Sequence, residues 1–174
     1  MDKQQISEIV DKAINDLKEK DPFLLKHNIS ERAISHKLAV YLNNKFPNYT
    51  VDCEYNGYAK ADNDKKYIMI IRQRIIELGK LKDSEKDEDL LKRLVYPDII
   101  VHQRGQDNNL LIIEIKKKNN DDIEFDREKL SRYTSPDYEN DLSYSLGALI
   151  TFITGEDELS HEIEWYESGK NITI

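Results

Sequence analysis

Three residues stand where chemistry could use them: Asp98 at the mouth of "DIIV", and Glu114 and Lys116 inside the apolar run "LLIIEIKK". The polar stretch "HQRGQDNN" separates the two runs, so the segment reads as a hairpin. With the turn centred on Gln106, residues whose numbers sum to 212 face each other, which sets Asp98 opposite Glu114. Cross-strand neighbours have Cβ atoms about 5 Å apart. Alternation along the strand then gathers Asp98, Glu114 and Lys116 on one face, provided the register does not slip by a residue. Two carboxylates that close repel each other, and an apolar sheet makes both costly without a cation. A hard divalent ion resolves the conflict, because Mg²⁺ takes one or two carboxylates and keeps several waters, leaving room for a phosphate and a nucleophile. A lysine two residues from a metal ligand supplies a positive charge that orients a water or helps to deprotonate it.

The elements that must position these residues follow from hydrophobic spacing. Ile6, Ile9, Val10, Ala13, Ile14 and Leu17 recur at helical spacing over 4–20, and Pro22 ends that helix. A second helix is predicted from Asn28 or Ser30, with Asn28 and Glu31 in capping-box spacing and a stripe of Ile34, Leu38, Tyr41 and Leu42. Glu31 lies on that stripe, so its carboxylate leans inward. Residues 49–55 alternate as a strand. The run 67–81 places Ile68, Ile71, Ile75 and Leu78 at helical spacing, with Gly79 as its C-cap. The acidic tract 83–89 reads as a solvated linker, and "LLKRL" as a short helix. Beyond the hairpin come a helix over 122–134, a buried strand over 143–154 and an edge strand over 162–168. These elements make an α/β sandwich around a mixed central sheet. The 174 residues are expected to form one domain, with 1–27 as an N-terminal helical extension and 59–95 as a basic-then-acidic insertion.

"PD" at 97–98, the hairpin and "EIK" at 114–116 resemble the PD-(D/E)XK nuclease superfamily. That family has the restriction-endonuclease-like fold, an α/β/α sandwich. It also carries an acidic residue on the helix before the core sheet, a place that Glu31 in "SERAISHKLAVYL" fits. The element order from about 28 to 154 matches the family core. The resemblance implies Mg²⁺, with Mn²⁺ as substitute, bound by Asp98, Glu114 and the backbone carbonyl of Ile115. It implies that Lys116 positions the attacking water and that Glu31 completes the metal shell or holds a second ion. Lys117, Lys118 and, behind them, Lys129 are the candidate phosphate contacts. The implied reaction is phosphodiester hydrolysis of DNA, with RNA as the lesser substrate. The alternative is a catalytically silent member of the fold, acting as a nucleic-acid-binding or protein-interaction subunit.

Charge bears on both readings. The chain carries a net charge of −8, which disfavours nonspecific coating of DNA. Residues 60–82 nevertheless set Lys60, Lys65, Lys66, Arg72, Arg74, Lys80 and Lys82 against Asp62, Asp64 and Glu77, a local basic face. A chain this short leaves little room for a separate sequence-reading domain, so specificity is expected from 59–95, from a homodimer or from a partner protein. No apolar run approaches the roughly 18 residues of a membrane span, and the N-terminus lacks a secretory pattern, so a cytoplasmic protein is expected. The single cysteine, Cys53, excludes an intramolecular disulfide and a cysteine-based zinc cluster. His36, His102, Tyr133, Tyr144 and Trp165 read as structural residues.

Overall fold

The computed structural model describes residues 1–57, 65–82, 89–118, 123–136, 142–156 and 158–174. Helix α1 (Lys3–Lys20) opens with a capping box between Asp2 and Gln5 and buries Ile6, Val10, Ala13, Ile14 and Leu17. Pro22 does end α1, and it also starts α2 (Pro22–Lys26), at a position where a missing N–H costs nothing. Helix α3 (Glu31–Asn43) is capped by Ser30, whose side chain accepts from the Ala33 amide. The expected Asn28–Glu31 box does not form. Asn28 sits at φ 51, outside the extended backbone of an N-cap, and the Glu31 carboxylate is turned to another partner.

The strands are β1 (Thr50–Cys53), β2 (Tyr67–Ile71), β3 (Leu90–Leu94), β4 (Ile99–His102), β5 (Asn109–Lys117), β6 (Leu146–Ile153), β7 (Ser160–Glu167) and β8 (Lys170–Ile172). A short α4 (Arg72–Glu77) follows β2, and α5 (Ile123–Thr134) links β5 to β6. Six strands form one mixed sheet in the order β1-β4-β5-β6-β7-β8, while β2 and β3 pair apart. Only β5 and β6 run parallel within the six-stranded sheet, and α5 supplies the crossover that a parallel pair requires.

The sheet buries both faces. Ile99, Val101, Leu111, Ile113 and Ile115 pack with the stripes of α1 and α3. Ile100 and Ile112 face the other way, onto Leu130 and Tyr133 of α5 and onto Ile68, Ile70 and Leu91 of β2 and β3. Strand β5 is therefore buried from Leu110 to Ile115 and apolar there except at Glu114, as a strand covered on both sides should be. Among the described residues, no helix is long and apolar enough to cross a membrane.

Three expectations are corrected. Residues 67–71 form a strand rather than the first turns of a helix, because Ile68 and Ile70 point inward at a period of two and pair across to Arg93 and Leu91. "LLKRL" is that partner strand, not a helix. Strand β7 is not the edge, since β8 pairs with its outer side from Trp165 to Glu167. The acidic linker over 83–89 lies outside the described residues except for Asp89.

Candidate active site

The β4–β5 hairpin keeps the expected register. Ile99 faces Ile113, Ile100 faces Ile112 and Val101 faces Leu111. The pairing slips by one at His102–Asn109, on the turn side, where it leaves Asp98 untouched. Continued past Ile99, the register brings Asp98 across from Glu114, and Asp98 Oδ2 accepts the Ile115 amide at 2.7 Å. Glu114 is 2% exposed. Lys116, two residues on, shares its face.

Helix α5 closes the site from above. Asp126, Lys129 and Tyr133 stand at i, i+3 and i+7 and share one helix face. Lys129 Nζ lies 2.9 Å from Glu114 Oε2 and 2.5 Å from Asp126 Oδ1. The Tyr133 hydroxyl donates to Glu114 Oε1 at 3.3 Å. Lys116 Nζ stands 3.0 Å from Asp126 Oδ2 and 3.6 Å from Glu31 Oε2. Glu31 reaches the same place from α3, around the end of the sheet, and its Oε1 accepts the Lys117 amide at 2.9 Å.

Carboxyl groups outnumber ammonium groups. Four carboxylates, of Asp98, Glu114, Asp126 and Glu31, meet two ammonium groups, of Lys116 and Lys129. Burial pushes Glu114 up to about 8, against the pull of Lys129 and with the help of the Asp98 and Asp126 charges. Burial also raises Asp98, though its bond from the Ile115 amide opposes the shift. For Lys129, burial alone would lower the pKa, but the charges of Glu114 and Asp126 outweigh it. Lys116 is likewise held up, chiefly by Asp126 and then by Glu31, against its own burial. The site is thus a carboxyl-rich cluster in which both lysines are held charged while Asp98 and Glu114 are drawn toward their protonated forms.

Among the described residues, no three His, Cys, Asp or Glu side chains form a ready metal cage. Mg²⁺ asks for less than a cage, since one or two carboxylates suffice and waters fill the other positions. The raised pKa values of Asp98 and Glu114 mark two neighbouring carboxyl groups short of positive charge, and such a pair would fit that ion.

The structure brings together Asp98, Glu114, Lys116, Glu31 and Lys129. It keeps two of the expected phosphate contacts apart from them. Lys117 alternates onto the opposite face from Lys116, and Lys118 is exposed beyond the strand, its amide bonded to the Phe152 carbonyl. Lys129 is turned to carboxylates, and the Ile115 side chain is fully buried in the core. His102, expected to be structural, is hydrogen-bonded to Asp52 at 2.9 Å. Asp126 and Tyr133 are the residues that the sequence reading missed. Their i, i+7 spacing with Lys129 between them was the available signal. In comparisons with known proteins, no family model, no curated protein and no solved structure matches the chain.

Proposed function

We propose that the protein is a Mg²⁺-dependent nuclease of the PD-(D/E)XK kind, hydrolysing phosphodiester bonds in DNA. The observation that carries this reading is the convergence of Asp98, Glu114 and Lys116 at one end of the sheet, with Glu31 arriving from α3. The succession α3, β1, β4, β5, α5, β6 supports it, being three antiparallel strands and then a helical crossover to a parallel fourth. That is the order implied for a restriction-endonuclease-like core.

Asp98 and Glu114 would hold the ion, with the carbonyl of Ile115, next to Glu114 in sequence, as a further ligand. Bound Mg²⁺ supplies a water of lowered pKa and neutralises charge on the phosphate. The Ile115 amide fixes the rotation of the Asp98 carboxylate. Lys116, kept protonated by Asp126 and Glu31, acts as a hydrogen-bond donor and positive charge toward water and phosphate rather than as a base. Burial of Glu114 excludes bulk water and strengthens each of these interactions.

One observation favours the silent alternative: both Glu114 oxygens are already engaged, by Lys129 and by Tyr133. Cleavage of plasmid and oligonucleotide DNA with Mg²⁺, Mn²⁺ and EDTA, beside Glu114→Ala and Lys116→Ala, separates the two. Metal-dependent cutting lost in both variants supports the nuclease. No cutting, together with no heat of metal binding by calorimetry, selects the silent subunit.

A further inference from the structure

Beside Asp98, on the α3 side, opens a pocket of about 450 Å³. Ala33, His36 and Cys53 are among its walls, and Asp98 stands in its lining. Arg32 and Glu54 line it too, exposed and paired to each other at 2.7 Å. Glu54 takes φ 49 and donates its amide to the Asp98 carbonyl at 3.3 Å. A non-glycine residue in the left-handed region is strained, and such strain gathers at ligand sites. Here it ties the pocket to the backbone of Asp98, the residue proposed to hold the metal.

The lining decides what fits. Asp98 and Glu54 repel an anion, and the one arginine is spent on Glu54. Cys53 stays a thiol at neutral pH, since burial and then the charges of Asp98, Asp52 and Glu54 push it up to about 11. What remains is a small cleft with an apolar wall and an exposed imidazole, its charged side chains limited to Asp98 and the Arg32–Glu54 pair, at the low end of the volume that small-molecule sites occupy. A flat neutral heterocycle meets those terms.

We propose that this pocket takes one unpaired nucleobase of the strand whose phosphodiester lies at Asp98, so that the substrate is a single strand, a flap or a frayed end. The proposal rests on the nuclease reading above. A paired base would have to leave its stack to enter, at a cost of a few kcal/mol that an unpaired base avoids. The walls would recover part of the stacking lost.

The test moves a single abasic site, base by base, along a single-stranded DNA oligonucleotide cut in Mg²⁺. The expected result is one sensitive position next to the cut, where loss of the base lowers kcat/KM about tenfold. Ala33→Phe, which fills the pocket, should impose the same loss on the intact strand and show no further loss at the abasic position. His36→Ala should act in the same direction with less risk to folding. With 2-aminopurine at the sensitive position, binding in EDTA should change its fluorescence for the wild type and not for Ala33→Phe. Equal rates at every abasic position, or faster cutting within a closed, fully paired duplex, would overturn the pocket and leave the nuclease standing. No cutting of any strand with Mg²⁺ or Mn²⁺ would overturn the nuclease reading, and the pocket proposal with it.

Discussion

Lys129 sets its ammonium 2.9 Å from the Glu114 carboxylate, in a place where Glu114 is 2% exposed. The pair joins the helix over the sheet to the strand beneath it. It also puts a positive charge beside the carboxylate proposed to hold a metal. Lys129 is therefore both a structural counter-ion and a competitor for the Glu114 oxygen.

Lys129→Met should leave Glu114 buried without its nearest cation. The expected cost is about 3 kcal/mol in urea unfolding at pH 9, where the Glu114 carboxylate of the wild type is ionised. Adding Glu114→Gln removes the orphaned charge, so the double variant should be more stable than Lys129→Met alone. A double variant as unstable as the sum of the two single variants would deny the coupling.

Lys66 offers a test of pH dependence outside the proposed metal ligands. It is 3% exposed, its Nζ has no hydrogen-bond partner among the described residues, and burial lowers its pKa from 10.5 to about 8. Between those two values the unfolded chain holds a proton that the folded chain has released. Unfolding free energy therefore rises with pH across that window, and below it the protein carries the cost of a buried ammonium. The rings of Tyr55 and Tyr144, with centroids 4.8 and 5.7 Å from Nζ, return part of that cost. Subtracting the urea stability of Lys66→Met from that of the wild type should leave a rise of about 2 kcal/mol between pH 7 and 10. A flat difference would mean that Lys66 keeps its ordinary pKa.

Glu31 should separate positioning from stability. Glu31→Gln keeps an oxygen for the Lys117 amide but loses the charge facing Lys116. Glu31→Ala loses both and should cost about 1–2 kcal/mol. Cleavage should fall about tenfold in both variants, through kcat more than KM, although only the alanine variant is destabilised. Full activity in Glu31→Gln would remove Glu31 from the site.

Much of this arrangement was legible in the sequence, for physical reasons that differ by element. Helix α1 carries five buried residues at helical spacing, and no competing period explains them. The hairpin was legible because two apolar runs around a polar turn admit few registers, and the bulge at His102 falls where it shifts nothing at Asp98. Residues 67–71 were misread because Ile68 and Ile75 fit a helix while Ile68 and Ile70 fit a strand, and a short apolar run supports both periods. The structure uses one after the other, β2 and then α4. Asp126 and Tyr133 stayed hidden for another reason. Their spacing puts them on one helix face with Lys129, but which side of α5 meets β5 is set by how the helix docks across the sheet, and the spacing alone does not record that.

Docking of α5 is itself open to test at Gly147 on β6. A Cβ there would stand 3.1 Å from Leu130 Cδ2, 3.1 Å from Thr134 Cγ2 and 3.3 Å from Tyr166 Cβ. Two of these belong to α5, the helix that also carries Asp126, Lys129 and Tyr133. Gly147→Ala should therefore push the helix outward by a few tenths of an ångström, at a cost of about 1–3 kcal/mol. Because the displaced helix holds Lys129 against Glu114 and Asp126 against Lys116, cleavage should fall several-fold although no site residue has changed. Gly155→Ala is the control. Its φ of 81 makes any side chain strained, at about 1 kcal/mol, yet nothing lies within 4 Å of the new Cβ. A comparable loss of stability with unchanged cleavage is expected there. Equal activity in the two variants would show that the site tolerates movement of α5, and that Asp98, Glu114 and Lys116 suffice without the helix's exact seat.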